Sequence, residues 1–547
     1  MLHTTKRLQL WLAFAGCIVC TNFVGAKAQT GSYTTYVGGK GLVVDEYHVT
    51  SSADGTIKTE AAVGSPAGGP KQKAITISTH HQPVSFEISV GDNVLVSAKF
   101  NGATVSLHTP NQPDREVQTK ATMILENLLW HQFVFLLDQY DETKGGQQSF
   151  VAFLPTQGID YPITMERVGT PEYKTIKTRR YHLVANNALT LEMWTDEARV
   201  PLLFYSAAQQ LKVVRAGAES LADNALATAP KPAAYRPPDY AVAASFHEKN
   251  VTIGAGTEWE LPGTLTLPVG NGPFPAIVLV HGSGPNDRDE TQGPNKPFQD
   301  LACGLASQGI AVLRYDKRAH TYPGKVIALA NLTVKDETID DVLAAIALLR
   351  QTPQIDPRKT FVLGHSLGGM LVPRIGLAAQ SNVAGFIIFA GATRPLEDEM
   401  VRQYEYIYGL DGKVTPQEQA EIDNYKRQAA RIKQLTPADV ASKELLMYVP
   451  ASYWLDLRGY SPPEVALKLK QPLLILQGER DYNVTMDSFR DWQRALAART
   501  NVDFKSYPKL DHLFLEGSGP ASDADYARPR NISKYVIDDI VTWIKKH

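Results

Sequence analysis

The spacing of apolar residues changes once along the chain, and that change divides it. From about residue 30 to 215, short runs such as "AITIST", "VSFEISV", "NVLVSAKF", "SFVAFLP" and "LTLEMWT" are rich in β-branched and aromatic residues. Turn-forming pairs, among them Gly91-Asp92, Asn101-Gly102 and Gly145-Gly146, separate many of them. Such runs fit a pleated surface buried on one side, so a strongly curved antiparallel sheet is expected. One apolar stretch, "TKATMILENLLWHQFVFLLDQYD", is long enough for a helix packed against that sheet. An Ala- and Pro-rich segment without periodicity, 217–244, then reads as a linker behind the β-rich domain, 29–216.

From residue 245 onward the rhythm is strand, then helix. "PAIVLVHG", "IAVLRYD", "TFVLGHS", "AGFIIFAG", "PLLILQG" and "VDFKSYP" alternate with helical stretches such as "KDETIDDVLAAIALLRQ" and "ISKYVIDDIVTWIKK". Near-continuous apolar strands are buried on both faces, which predicts an α/β fold over 245–547 with a mostly parallel sheet between two helical layers. Between about 394 and 466 the alternation stops, and charged helical sequence such as "PQEQAEIDNYKRQAARIKQL" takes over. That is too long for a simple connection, so an inserted helical cap is expected.

Composition places this pattern in an ordinary globular protein of two or more domains, with 44% hydrophobic and 20% charged residues in 547. A net charge of -2 leaves no basic surplus for nucleic acid or anionic membrane. Residues 1–28 carry Lys6 and Arg7, an apolar run to Val24, and the cleavage signal Ala26-Lys27-Ala28. The expectation is a cleaved signal peptide and a secreted or periplasmic protein with no stable membrane insertion. A membrane anchor, or a lipoprotein anchor at Cys17 in "FAGC", is the weaker alternative. Cleavage leaves Cys303 as the sole cysteine, at an apolar helix position in "FQDLACGLASQG", where it reads as a small buried hydrophobe. No H-E-x-x-H, P-loop or dinucleotide fingerprint occurs, so neither cofactor nor metal is implied.

The chemistry centres on "FVLGHSLGGM", where Ser366 stands between Gly364 and Gly368 directly after a strand. A serine hydroxyl is a weak nucleophile and needs a base, which in turn needs an orienting carboxylate. His512, in "YPKLDHLF" just past the last strand, is the candidate base. In the chain order serine, acid, histidine, the acid falls in "PLLILQGERDYNV", and Asp481 is favoured. Glu479 and Asp487 are close rivals, while Asp511 beside the histidine reads as structural. Oxyanion donors are expected at the N–H of Leu367, which opens a helix, and at the N–H of Ser283 in "IVLVHGSGPNDRDE". The charged "PNDRDE" reads as a brace for that loop, with Arg288 pairing Asp287 or Asp289. In the cap, "ELLMYVPASYWLDLRGYSPPEV" is too apolar for an exposed linker. Tyr448 and Trp454 are its candidate pocket residues, against the alternative that the cluster only glues the cap down.

The elbow Gly364-His365-Ser366-Leu367-Gly368 and its partners resemble the α/β-hydrolase superfamily from about Val251 to His547. "GTLTLP", "HGSGPNDRDE" and "YDKRAH" are similar to the dienelactone-hydrolase-like and prolyl-oligopeptidase-like branch, especially to bacterial carboxylesterases with a "GSGPxDRDE" loop. The resemblance implies a serine esterase acting through an acyl-enzyme on a small-molecule ester. A peptidase of the same branch is the alternative enzyme, although the first domain lacks the repeats of a gating propeller at ~40–45 residues per blade. A hydrolase fold kept as a non-catalytic binding module is the third reading. The β-rich domain resembles exported lipoprotein-like curved sheets, from which no function follows.

Overall fold

The computed structural model describes residues 29–547 apart from 38, 67–70, 110–113, 174–175, 186–188, 208, 210, 229–233, 323–324, 327–328, 330 and 442–444. The expected signal peptide, Cys17 included, lies outside the described residues. Among the described residues no helix is long and apolar enough to cross a membrane.

Residues 29–215 form one long sheet, almost wholly antiparallel, in which neighbours along the chain pair in hairpins. The first strand, Gln29–Val37, closes the meander by pairing with both Lys40–Ser51 and the last strand, Leu211–Arg215. The long apolar stretch from 119 to 141 is not one helix. Met123–Ile124 pairs with Gln147–Leu154 as an edge strand, and only Phe133–Gln139 is α-helical, after a single turn at Trp130–Gln132. Glu126 breaks the run, because its buried carboxylate accepts the N–H groups of Asn127 and Thr156 and the Thr156 hydroxyl. The short helix then buries Phe135, Leu136 and Leu137 in one core with residues of the sheet. There His131 bonds Asp45 at 2.9 Å, and the Gln132 amide donates to Thr76.

The segment expected to be an unpatterned linker begins with a helix, Glu219–Thr228. Leu221, Ala222 and Ala225 supply its apolar face and pack on Trp194, Leu203 and Val214 of the sheet. Alanine carries so little hydrophobicity that this face is faint in the sequence. Beyond it the chain is docked on the second domain: Tyr235 donates to Asp300 Oδ1 at 2.8 Å, and Tyr240 donates to the Ile532 carbonyl at 2.7 Å.

Asp300 is buried at that junction, and burial pushes its carboxyl up to about 6. The folded protein therefore holds this proton more tightly than the unfolded chain, and Asp300 costs stability as pH rises from about 4 to about 6. Asp300→Asn removes that slope. The stability of wild type minus that of Asp300→Asn, from urea melts, should fall by on the order of 2–3 kcal/mol over this interval and stay level above it. A difference that is constant with pH would exclude the effect.

The second domain is an α/β layer structure. Its eight-stranded sheet runs in the spatial order Phe246–Ile253, Leu261–Pro268, Ala311–Tyr315, Phe274–Val280, Ile355–His365, Gly385–Phe389, Leu473–Gly478, Val502–Tyr507. Only the second of these, Leu261–Pro268, runs against the rest, pairing antiparallel with both its neighbours, and all the other pairs are parallel. The central strands are buried throughout, with Ile277, Leu279, Phe361, Leu363 and Ile387 packed on one face and Val278, Val362 and Ile388 on the other. Cys303 is buried in the helix Pro297–Ala306, where loss of solvent pushes its thiol up to about 11 and leaves it inert.

The cap enters between the adjacent strands Gly385–Phe389 and Leu473–Gly478. It consists of the helices Leu396–Gly409, Pro416–Gln434, Ala451–Leu457 and Pro462–Ala466, plus one small hairpin, Leu445–Leu446 with Val449–Pro450. That hairpin is the one departure from the expected all-helical insertion among the described residues. Its two central residues, Met447 and Tyr448, both have positive φ, 46° and 71°. The helix Pro416–Gln434 starts from a capping box in which the Thr415 hydroxyl accepts Glu418 N–H and the Glu418 carboxylate accepts Thr415 N–H.

Candidate active site

Strand Ile355–His365 ends at the centre of the sheet and helix Leu367–Ala379 starts at once, with Ser366 as the single residue between them. So sharp a reversal forces Ser366 to φ 53° and ψ -117°, a strained conformation for a residue with a side chain. The flanking glycines are required by close approach. A Cβ on Gly368 would lie 2.5 Å from the Val280 carbonyl oxygen, and one on Gly364 would run into the Gly368 backbone. The Ser366 hydroxyl is thereby held half-exposed at the carboxyl end of the parallel strands, with the free N–H groups of the helix start beside it.

His512 and Asp481 come together in the loops after the last two strands. His512 Nδ1 lies 2.7 Å from Asp481 Oδ2. The Asp481 carboxylate is buried, and it also accepts Gln477 Nε2 at 3.0 Å and Val484 N–H at 2.9 Å, so its orientation is fixed from three sides. The rival carboxylates are engaged elsewhere. Asp487 is on the surface with Arg394 and Arg490, Glu479 accepts the Ser506 hydroxyl, and Asp511 accepts the N–H groups of Leu513 and Leu515. The His512 ring lies 4.6 Å from that of His365, the residue before Ser366. No hydrogen bond joins Ser366 Oγ to His512 among the described residues; in enzymes without substrate this contact is commonly loose and tightens on binding.

The loop after Phe274–Val280 passes over the elbow, and a Cβ on Gly282 would sit 3.0 Å from Ser366 Cβ. The N–H of Ser283, next along, has no acceptor among the described residues. Glu290 fastens this loop: Oε1 accepts Gly282 N–H at 2.7 Å, and Oε2 lies 2.8 Å from His365 Nδ1. His365 Nε2 lies 3.0 Å from the His512 carbonyl, an acceptor only. With acceptors on both sides, the His365 ring is held doubly protonated. Burial works against its charge, but the Glu290 carboxylate outweighs burial and raises the imidazolium above its usual range; in the same way His365 holds Glu290 below its own. One buried ion pair thus ties together the glycine loop, the elbow and the histidine loop.

The "PNDRDE" brace is real, but its partners differ from those expected. Arg288 pairs bidentately with Asp316, and Asp289 pairs with Arg314 and Lys296. Asp287 caps its own turn by accepting from Thr291. In the cap, Trp454 is buried in a core with Tyr425, Ile432 and Leu446, and its indole N–H donates to the Leu446 carbonyl at 2.9 Å. Tyr448 is 69% exposed at the hairpin tip.

Comparison with known proteins gives the family. The chain is 40% identical over 312 residues to esterase EstD of Thermotoga maritima, covering 57% of this chain and 71% of that protein. The chain belongs to the α/β-hydrolase family of esterases. The family described as serine aminopeptidase, S33, matches residues 275–517 of this esterase. A monoacylglycerol lipase of Mycolicibacterium smegmatis is 24% identical over 280 residues, or 50% of this chain and 89% of that one. Among solved structures, an esterase of Pyrococcus furiosus aligns with 58% of this esterase and 96% of its own chain, at 17% identity and a TM-score of 0.34. Sequence reading missed Glu290 and His365 as partners in the site; the glutamate that ends "GSGPNDRDE" was the available signal.

Proposed function

We propose that this esterase is exported and hydrolyses small carboxylic esters through a Ser366–His512–Asp481 triad. The observation that carries the reading is the 2.7 Å bond between His512 Nδ1 and buried Asp481, placed beside the strained Ser366 elbow. Ser366 Oγ attacks the ester carbonyl while His512 Nε2 takes its proton, and Asp481 holds the imidazole by its Nδ1–H. The negative oxygen of the tetrahedral intermediate rests on the N–H groups of Leu367 and Ser283. Collapse expels the alcohol with the proton from His512. Water, activated by the same histidine, then frees the acid and restores Ser366. Export is proposed from the basic, apolar and A-x-A pattern of residues 1–28, and an exported protein starting at Gln29 by mass spectrometry would bear it out.

The experiment is turnover of a panel of nitrophenyl esters, acetylated sugars and chromogenic peptides. Esters should be cleaved and peptides not; a preference for peptides would replace the esterase reading with the peptidase one. The panel also separates the two cap aromatics. If Tyr448 lines the pocket, Tyr448→Ala should shift the preference between short and long acyl esters by ~10–200-fold while acetate turnover survives. Trp454→Ala should instead lower cap stability and depress every ester alike. Equal losses across the panel in folded Tyr448→Ala would remove Tyr448 from the pocket.

A further inference from the structure

Lys317, in "YDKRAH", is one of the largest fully buried side chains of the molecule, 2% exposed. Its ammonium lies directly behind the glycine loop. Nζ donates to the Gly282 carbonyl at 3.0 Å and pairs with Glu337 Oε1 at 3.1 Å. Glu337 Oε2 in turn accepts the hydroxyl of Tyr453, a buried residue of the cap helix Ala451–Leu457, at 2.9 Å. An unbroken line of buried polar contacts therefore runs from the cap to the loop over Ser366.

The carbonyl that Lys317 touches belongs to the peptide whose other end is the Ser283 N–H. That peptide is planar and trans, so its C=O and N–H point in opposite directions, and fixing the oxygen fixes the hydrogen. A positive charge on the oxygen draws electrons from the nitrogen and makes the N–H a stronger donor on the far side. Simple satisfaction of the carbonyl does not explain the arrangement, since Asn286 Nδ2 already donates to it at 3.3 Å. Nor does packing, since burying an ammonium is costly and an apolar side chain fills such a space at less cost.

We propose that Lys317 is a positioning residue for acyl transfer: its ammonium, anchored by Glu337 and through it by Tyr453 of the cap, orients and polarises the Gly282–Ser283 peptide so that the Ser283 N–H receives the oxyanion. The inference rests on the reading of Ser366 as nucleophile and Ser283 as oxyanion donor. It assigns the "YDKRAH" motif a role in the rate of the chemical step, and it makes the cap a support of the oxyanion site as well as a cover.

The test is the full-length double variant Lys317→Met/Glu337→Gln, which removes both buried charges together and leaves Tyr453 a partner. With p-nitrophenyl acetate, kcat should fall ~10–100-fold, less than or similar to deleting an oxyanion donor outright, with KM within a few-fold. A trifluoromethyl ketone, to which Ser366 Oγ adds to leave an oxyanion on the former carbonyl, should lose affinity by the same factor. Unchanged kcat, or a kcat loss without loss of ketone affinity, overturns the proposal. If the double variant does not fold, Lys317→Arg and Lys317→Gln make the same comparison, since they differ in charge; equal kcat in those two overturns it as well. Fluorophosphonate labelling of wild type separates the two levels. No label on Ser366 refutes the catalytic reading itself, whereas a labelled Ser366 with unchanged kcat in the variant refutes only the role of Lys317.

Discussion

Ser366→Ala should lower kcat/KM for nitrophenyl esters by ~10³-fold or more, the loss seen when one member of a catalytic unit is removed. Only the hydroxyl oxygen is lost, and nothing among the described residues depends on it for a hydrogen bond. The melting temperature should therefore stay close to that of wild type or rise slightly, because strained, half-exposed polar sites cost stability. A fluorophosphonate should label Ser366 in the wild type and leave the variant unlabelled. Near wild-type turnover by the variant would disprove the assignment of the nucleophile.

Asp481→Asn should also be severely damaging, on the order of 10⁴-fold in kcat at neutral pH, while Asp487→Asn should be mild. An amide at 481 can present its NH₂ to His512 and so stabilise the wrong tautomer, with the proton on the nitrogen that must face Ser366. Asp487, by contrast, is a surface carboxylate held between two arginines, and exposed pairs of this kind contribute little. The reverse ranking would move the acid to Asp487. Thermal melts sharpen the comparison, because a tautomer defect leaves the melting temperature close to that of wild type and a folding defect does not.

The fold was legible where burial imposes a period. The inner parallel strands Phe274–Val280, Gly385–Phe389 and Leu473–Gly478 are covered on both faces and read as near-continuous apolar runs, and the closing helix Lys534–Lys546 buries Val536, Ile537, Ile540, Val541 and Ile544 at helical spacing. Legibility failed where a polar side chain inside the core turned the chain. Glu126 splits an apolar run that periodicity alone takes for one helix, and its partner Thr156 lies 30 residues away. The helix Glu219–Thr228 was missed for a different reason, since alanines make a face that packs but hardly shows.

In the site, the elbow was readable because close backbone approach leaves a glycine signature. The partners of buried charges leave none. Arg288 has acidic neighbours on both sides in the sequence, yet its carboxylate is Asp316, brought in by the next strand of the sheet. Glu290, His365 and Lys317 are ordinary polar letters until the sheet stacks their loops. Trp454 and Tyr448 belong to one apolar cluster in the sequence, and only the fold separates them, with Tyr448 outward at the hairpin tip and Trp454 inward on the helix that follows.

The ion pair of Glu290 and His365 also bears on how such a site can drift. Each residue is the other's counter-charge in a buried place, so replacing either alone strands the survivor's charge, while replacing both together leaves no unpaired charge. Single steps are therefore blocked although the double step is open, which is epistasis of the sign-changing kind. Variation at 290 is then conditional on 365, and a library that randomises one position at a time would score both as immutable.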